Sequence, residues 1–118
     1  MQKSKGFRDL IVWQKAHQLV LEVYTLTEAF PKEEFFVLTS QIRRSTISIA
    51  ANIVEGYRKR TKPDEVKYMN IAQGSLDETF YYFILAQDLG YANTAELQEK
   101  IEEIAKMLHA YSASIQNS

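Results

Sequence analysis

The chain has 118 residues, a formal net charge of −1 and no cysteine. This length suits one domain with one hydrophobic core, and the absence of thiols excludes disulfides, thiolate metal sites and thiol redox chemistry. A chain without cysteine fits a reducing compartment, so we expect a cytoplasmic protein. The basic segment Met1–Gly6 leads into no apolar stretch, and no run of about 18 apolar residues follows, so we expect neither export nor membrane insertion.

The near-neutral total conceals an uneven distribution of charge along the chain. Residues 1–62 carry 11 basic and 6 acidic side chains, whereas residues 63–118 carry 3 basic and 9 acidic ones. A chain of this kind can present a basic surface while it stays close to neutral overall.

Apolar residues recur at steps of three and four, which predicts amphipathic helices throughout. The first helix is predicted from about residues 9–13 to Phe30, where Pro31 stops it. The second is predicted to begin at Glu33 and Glu34, acids suited to a helix N-terminus, and to end between residues 56 and 60. The predicted core positions of these two helices are Val12, Ala16, Leu19, Val23, Leu26 and Phe30, then Leu38, Ile42, Ser45, Ile49 and Ile53.

The third helix is predicted to start at Pro63-Asp64-Glu65 and to end at Leu89, with Gly90 as the residue that terminates it. Asn93 and Glu96 have the spacing of a capping box at the start of the fourth helix. The core positions predicted for this half are Met69, Ala72, Leu76, Phe80 and Phe83, then Leu97, Ile101, Ile104, Leu108, Tyr111 and Ile115.

Four helices joined by short links predict an all-α fold, an antiparallel up-down-up-down four-helix bundle. We expect residues 1–118 to form a single domain, with extended or disordered ends at about residues 1–8 and 115–118.

The order of several motifs resembles one bacterial protein family. These motifs are Asp9-Leu10, Val12-Trp13-Gln14-Lys15-Ala16, Tyr24-x-Leu26-Thr27-x-x-Phe30-Pro31, Gln41-x-Arg43-Arg44, Ser48-Ile49-x-Ala51-Asn52-Ile53-x-Glu55-Gly56, Gly74-Ser75-x-x-Glu78 and Leu89-Gly90-Tyr91. Together they resemble, over about residues 7–111, the four-helix bundle proteins encoded in intervening sequences of 23S ribosomal RNA genes. The resemblance implies a homopentamer, related to the accessory subunit of diversity-generating retroelements, with no catalytic activity assigned to the family. Those accessory subunits are strongly basic, whereas this chain has a pI of about 6.1.

Two groups of basic residues are candidates for contact with nucleic acid. Arg43 and Arg44 could clamp a phosphate, because guanidinium groups match phosphate oxygens, or they could pair with acids of a neighbouring helix or subunit. The segment Arg58-Lys59-Arg60-x-Lys62 lies beside Tyr57 and could follow a nucleic-acid backbone, or it could be an ordinary charged helix end.

Polar and small residues within the helices indicate structural roles. Asn52 lies beside the apolar stripe of the second helix, and we expect it to form a structural polar network with Glu55 and Glu78. Gly74 costs about 1 kcal/mol in helix propensity, which predicts that another helix packs closely against it.

The second and third helices carry more apolar surface than one core requires. Their surplus predicts a homo-oligomer, and the candidate interface residues are Ile47, Val54, Tyr81 and Tyr82. We expect the assembly to be a pentamer, as the resemblance implies.

No arrangement of residues predicts catalysis. Both histidines, His17 and His109, lack the Glu-x-x-His spacing of di-iron bundles, and no phosphate loop or nucleophile motif is present. We therefore expect no enzyme, no metal, no cofactor and no small-molecule substrate. The sequence favours a homo-oligomeric scaffold associated with RNA or with a nucleic-acid-processing protein. The alternative is a protein-protein adaptor that binds no nucleic acid.

Overall fold

A computed structural model describes residues 6–118, which contain four long helices and no strand. The helices are α1 (Ile11–Thr27), α2 (Ser40–Tyr57), α3 (Lys62–Asp88) and α4 (Ala95–Gln116). Phe7–Asp9 and Lys32–Glu34 form short 3₁₀ turns, and Phe35–Thr39 forms one π-helical turn directly before α2. The all-α fold predicted from the sequence is confirmed. None of these helices is both long enough and apolar enough to cross a lipid bilayer.

Contacts between the helices give their directions. Lys15 of α1 pairs with Glu103 of α4, and Glu22, two turns later on α1, pairs with Lys100. Ser45 and Ser48 of α2 meet Thr79 and Ser75 of α3 in the reverse order. The pairs α1–α4 and α2–α3 therefore run antiparallel, which is consistent with the predicted topology. Residues 6–9, before α1, line a hollow with Arg58, so the starts of α1 and α3 lie at the same end of the bundle as the ends of α2 and α4.

The core follows the predicted apolar stripes closely. Its buried members are Val12, Ala16, Leu19, Val23, Ile42, Ile49, Ala50, Ile53, Met69, Ala72, Leu76, Phe83, Leu97, Ile101, Ile104, Leu108 and Ile115. Leu26 and Phe80 are only partly buried, and the neighbouring Thr27 and Thr79 are buried instead. Each threonine satisfies its hydroxyl within its own helix by donating to the carbonyl four residues earlier, at 2.8 Å, so burial costs little.

The start of the second helix differs from the prediction. The chain leaves Pro31 through a 3₁₀ turn and then a π-helical turn, so the α-helix begins at Ser40 rather than near Glu33. The Glu34 carboxylate accepts bonds from the Leu38 amide at 3.4 Å and from the Tyr91 hydroxyl at 2.7 Å. This wider turn directs Leu38 and Thr39 inward and leaves Phe35–Val37 outside.

The prediction that a helix packs closely against Gly74 is wrong for the single chain. Gly74 is exposed, and a Cβ placed on it would have no neighbour within 4 Å. The close approach is at Gly56 instead, where a Cβ would lie 2.9 Å from Tyr68 Cβ and 3.3 Å from the Glu65 carbonyl oxygen. The α2 backbone therefore touches α3 at Gly56.

The end of α4 also differs from the prediction. The helix continues to Gln116 and Ile115 is buried, so this end is not extended. At the other terminus, the Phe7 ring meets Trp13 edge-on at 5.0 Å, while residues 1–5 of the segment expected to be disordered lie outside the described residues.

The capping box predicted for α4 does not form. Asn93 Oδ1 accepts a bond from the Ala95 amide, two residues ahead, and the N-cap is Thr94. The Thr94 hydroxyl instead donates a hydrogen bond to the Phe83 carbonyl of α3, at 2.7 Å, and this bond fixes the α3–α4 loop to α3. Gly90, with φ of 76°, has the left-handed conformation expected of the glycine that terminates α3.

Candidate nucleic-acid interface and subunit interface

Basic residues gather at the end of the bundle where α2 stops and α3 starts, which we call the basic end. Arg58, Arg60 and Lys62 are exposed, and Arg58 lines a shallow hollow of about 270 Å³ with residues 6–9. Lys59 is only half-exposed: it lies 3.8 Å from Glu55 and its ammonium is 5.0 Å from the centre of the Tyr68 ring. Three of the four cations predicted here are thus free to face a ligand.

Arg43 and Arg44 lie far from the basic end. They precede Arg58 by about four turns of α2, or roughly 21 Å along the helix axis. The two groups of predicted nucleic-acid residues therefore do not meet on one surface of the single chain.

Arg43 and Arg44 also differ from each other. The Arg43 guanidinium lies over the Tyr24 ring, 4.5 Å from its centre, and its Nε donates to Thr27 Oγ1 at 2.8 Å. Arg44 is exposed. Successive residues of a helix point about 100° apart, so the two guanidinium groups have different surroundings although both line a cavity beside Tyr24. Arg43 contacts an aromatic ring and a hydroxyl, and neither is one of the partners considered for it, a phosphate or an acid.

Phe35, Phe36 and Val37 form an exposed patch beside these arginines, which we call the aromatic corner. Phe36 is 87% exposed, and its ring meets that of Phe35 edge-on at 4.9 Å. A cavity of about 430 Å³ lies between this corner, Tyr24 and the two arginines. The aromatic corner thus borders Arg43 and Arg44.

A second exposed apolar surface, which we call the outer face, lies on the outward sides of α2 and α3. Of the predicted interface residues, Ile47 and Tyr81 are exposed, at 41% and 56%, whereas Val54 and Tyr82 are half-buried. The outer face also includes Ala51, Ile71 and Gly74. Ser48 meets Ser75 across the two helices, so Ile47 and Gly74, which adjoin these serines, lie at nearly the same level of the bundle.

The polar network between α2 and α3 has different members from those predicted. Asn52 Nδ2 donates to the Ser48 carbonyl at 2.8 Å and to Ser48 Oγ at 2.9 Å, and Ser75 Oγ donates to the same hydroxyl at 2.8 Å. Glu55 and Glu78 are exposed and lie outside this network. Short serine side chains let the two helices approach closely, which leaves no room for glutamate between them.

Glu78 instead affects a tyrosine one turn further along α3. Burial raises the pKa of Tyr82 above its usual value near 10, and the adjacent Glu78 carboxylate raises it further. Tyr82 therefore stays protonated at neutral pH.

Among known families, the model described as 23S rRNA-intervening sequence protein matches residues 8–110. The chain belongs to this family. A crystal structure from Bacteroides thetaiotaomicron VPI-5482, described as a protein with unknown function from the S23 ribosomal protein family, is similar in fold and sequence. It superposes with a TM-score of 0.80 and 26% identity over 86% of this chain and 98% of the other. No curated protein matches the chain.

The aromatic corner of this family member was not predicted from the sequence. The helix predicted to begin at Glu33 and Glu34 includes Phe35, Phe36 and Val37 before its first predicted core position, Leu38. A signal was available, because three consecutive apolar residues before a core position cannot all face one side of a helix.

The described residues of this chain contain no cluster of acids and histidines that could hold a metal ion. His17 is exposed and stacks on Trp13, with ring centres 5.1 Å apart, and His109 is exposed on α4.

Proposed function

We propose that this protein is a cytoplasmic, non-enzymatic scaffold that assembles with copies of itself through the outer face and associates with RNA through the basic end. The observation that carries the proposal is the outer face, where α2 and α3 expose apolar side chains and α3 has an exposed glycine in its middle. Membership of a family named for 23S rRNA intervening sequences supports the RNA part.

The outer face has two properties that a partner would explain. Ile47, Ile71 and Tyr81 expose apolar side chains along about 15 Å of the α2–α3 pair, and covering them would be favourable. Gly74 lies in the middle of α3 at a cost of about 1 kcal/mol in helix propensity, yet within residues 6–118 no other helix packs on it. A helix from a second copy could approach Gly74 more closely than any larger residue would allow.

We expect a pentamer, the state implied by the family resemblance, and a closed ring requires every copy to use the same pair of surfaces. Light scattering at micromolar concentration measures the mass of the assembly directly. A mass of 13.7 kDa, that of one chain, would contradict the proposal.

A matched pair of variants tests which surface makes the contact. Ile47→Glu together with Tyr81→Glu places charges on the outer face and should reduce the assembly to single chains. Leu21→Glu, an equally exposed apolar position on α1, is the control and should leave the mass unchanged. If only the control dissociates the assembly, the contact lies on α1.

The basic end is the part of the surface best suited to phosphate. Four acids of α4, Glu96, Glu99, Glu102 and Glu103, lie in the first half of a helix that ends at the basic end. At 1.5 Å per residue they are about 20 to 30 Å from that end along the axis, which is two or more Debye lengths at physiological salt. Their repulsion of a polyanion is therefore weak at the basic end, where the acids that oppose the three exposed cations include Asp64 and Glu65 in the first turn of α3.

Filter binding of structured ribosomal RNA tests this part of the proposal. The variant Arg58→Ala/Arg60→Ala/Lys62→Ala removes the three exposed cations, and Lys15→Ala/Lys32→Ala/Lys106→Ala removes the same charge at exposed positions elsewhere. We expect modest binding at low salt that is mostly lost near physiological salt, because counterion release drives it. The first variant should lower the slope of log K against log salt by about 2 to 3 for each bound copy, and the second should not.

Two outcomes would change the proposal. Equal binding by both triple variants would show that net charge, not the basic end, attracts RNA. No binding by the wild type at low salt would favour the second candidate, a protein-protein adaptor that binds no nucleic acid.

A further inference from the structure

The cavity beside the aromatic corner has a lining of unusual composition for this chain. It is formed by Tyr24, Phe35, Phe36, Arg43, Arg44 and Ile47, together with the hydroxyl-bearing Thr39 and Ser40, and it shares Ile47 with the outer face. Its volume of about 430 Å³ falls within the range of small-molecule sites, roughly 300 to 1,000 Å³. The lining includes two guanidinium groups and no carboxylate, although the whole chain is slightly acidic.

The two arginines of the cavity have different freedom. Arg43 is fixed between the Tyr24 ring and the Thr27 hydroxyl, so it forms a rigid wall. Arg44 is exposed and pairs with no carboxylate of residues 6–118, so its five donors are available to a ligand. One cation thus shapes the site while the other can bind.

The aromatic rings of the cavity are also available. Phe35 is 52% exposed and Phe36 87%, and the edge-on contact between them leaves ring faces uncovered. An uncovered aromatic face beside a free guanidinium suits a ligand that has both a flat aromatic ring and an anionic group.

We infer that this cavity binds an unpaired nucleotide of single-stranded RNA, with its base stacked on Phe36 or Phe35 and its phosphate held by Arg44. The inference rests on the proposed association with RNA and adds a second, base-dependent contact, about 21 Å from the basic end along α2. Stacking on an aromatic side chain tolerates any base, because every base has a π-face. The protein then distinguishes unpaired from paired RNA without reading its sequence.

Fluorescence anisotropy at low salt, with two labelled probes, tests the base contact. One probe is a ten-nucleotide oligoadenylate, and the other is a ten-unit abasic strand with the same phosphates. We expect the wild type to bind the oligoadenylate about tenfold more tightly, as one stacked base predicts. Phe36→Ala should remove this preference while the affinity for the abasic strand stays the same, and Phe36→Tyr should keep it.

Arg44→Gln should weaken the binding of both probes, since it removes a contact with phosphate. Leu21→Ala, an exposed apolar position outside the cavity, is the control and should bind both probes as the wild type does. Melting curves establish that each variant is folded, and because Phe36 is so exposed we expect little change for Phe36→Ala.

Three results would overturn the inference. Equal binding of the two probes by the wild type would leave the basic end as the RNA contact and exclude base stacking. An unchanged preference in Phe36→Ala would place the stacking elsewhere. A fall in assembly mass on Phe36→Ala would show that the aromatic corner is a contact between copies.

The inference and the proposed function fail in distinguishable ways. If the variant Arg58→Ala/Arg60→Ala/Lys62→Ala binds ribosomal RNA as well as the wild type does, but Phe36→Ala removes the preference for oligoadenylate, the basic end is excluded and the cavity stands. If no probe and no ribosomal RNA binds, both are wrong.

Discussion

The inner and outer sides of the α2–α3 pair use similar small residues in opposite ways. On the inner side, Gly56 lets the two backbones touch, and Asn52 and Ser75 each form a hydrogen bond with Ser48. On the outer side, no other helix of residues 6–118 packs on Gly74. Contacts within one chain explain the inner residues, whereas the outer ones would be explained by the proposed second copy.

This contrast shows how a glycine in a helix can be interpreted. Its cost in helix propensity is the same on either side, about 1 kcal/mol, but the compensating contact is visible only on the inner side. Substitutions at matched positions on the two sides can therefore test whether the outer side is covered by a second copy.

Gly56→Leu should have the largest effect on stability. Its side chain would collide with Tyr68 and with the Glu65 carbonyl, which belongs to a helix backbone and cannot move aside. We expect a loss of about 3 kcal/mol, at the upper end of ordinary overpacking costs. Urea denaturation measures it, and a loss below about 0.5 kcal/mol would mean that α2 and α3 can separate at this point without cost.

Asn52→Leu should have the next largest effect, about 1 kcal/mol or slightly more, since it leaves Ser48 without two of its hydrogen bonds. Glu55→Gln, one turn further along α2 and exposed, is the matched control and should change stability by less than about 0.5 kcal/mol. Equal losses for the two variants would show that the hydrogen bonds among Ser48, Asn52 and Ser75 contribute nothing specific to stability.

Gly74 should respond differently from Gly56. Gly74→Ala should stabilise the separate chain by about 0.5 to 1 kcal/mol, because alanine favours the helix and nothing obstructs its methyl group. Gly74→Leu should lower the assembly mass measured by light scattering while the separate chain stays folded. An unchanged mass would show that no partner approaches this glycine.

Substitution of Tyr82, at the edge between the two sides, should have the smallest effect on stability. Its folded pKa lies above its unfolded value near 10, so its contribution to stability is complete below pH 10 and declines as the pH rises through the folded pKa. Tyr82→Phe should therefore reduce the loss of stability between neutral pH and about pH 11, compared by urea denaturation. The same decline in both proteins would assign the alkaline loss to Tyr91, Tyr111 and Lys100, whose pKa values are also raised.

The fold could be predicted because the periodicity of apolar residues and the prolines and glycines that end helices are local properties of the sequence. The core positions of α2 and the termination of α3 at Gly90 follow from spacing and from one residue type. The two glycines show where this reasoning ends: Gly56 and Gly74 both lie in helices, and the sequence does not record which of them faces a neighbour.

The candidate surfaces were harder to predict for a similar reason. Arg43 and Arg44 are adjacent in sequence, but one is held by Tyr24 and the other is exposed, which depends on how α1 packs against α2. The prediction of a capping box at Asn93 was wrong because Thr94 forms a hydrogen bond with α3. The spacing of residues within one segment does not reveal such a contact between helices.

The separation of charge along the bundle has a consequence for how copies could lie together. Arg58, Arg60 and Lys62 lie at one end, while Glu28, Glu33 and Asp88 lie at or near the other. In a closed ring all copies point the same way, so like charges become neighbours at both rims and oppose assembly. Added salt screens this repulsion and should strengthen the ring, while it weakens any contact with phosphate. Ring formation and RNA binding should therefore depend on ionic strength in opposite directions.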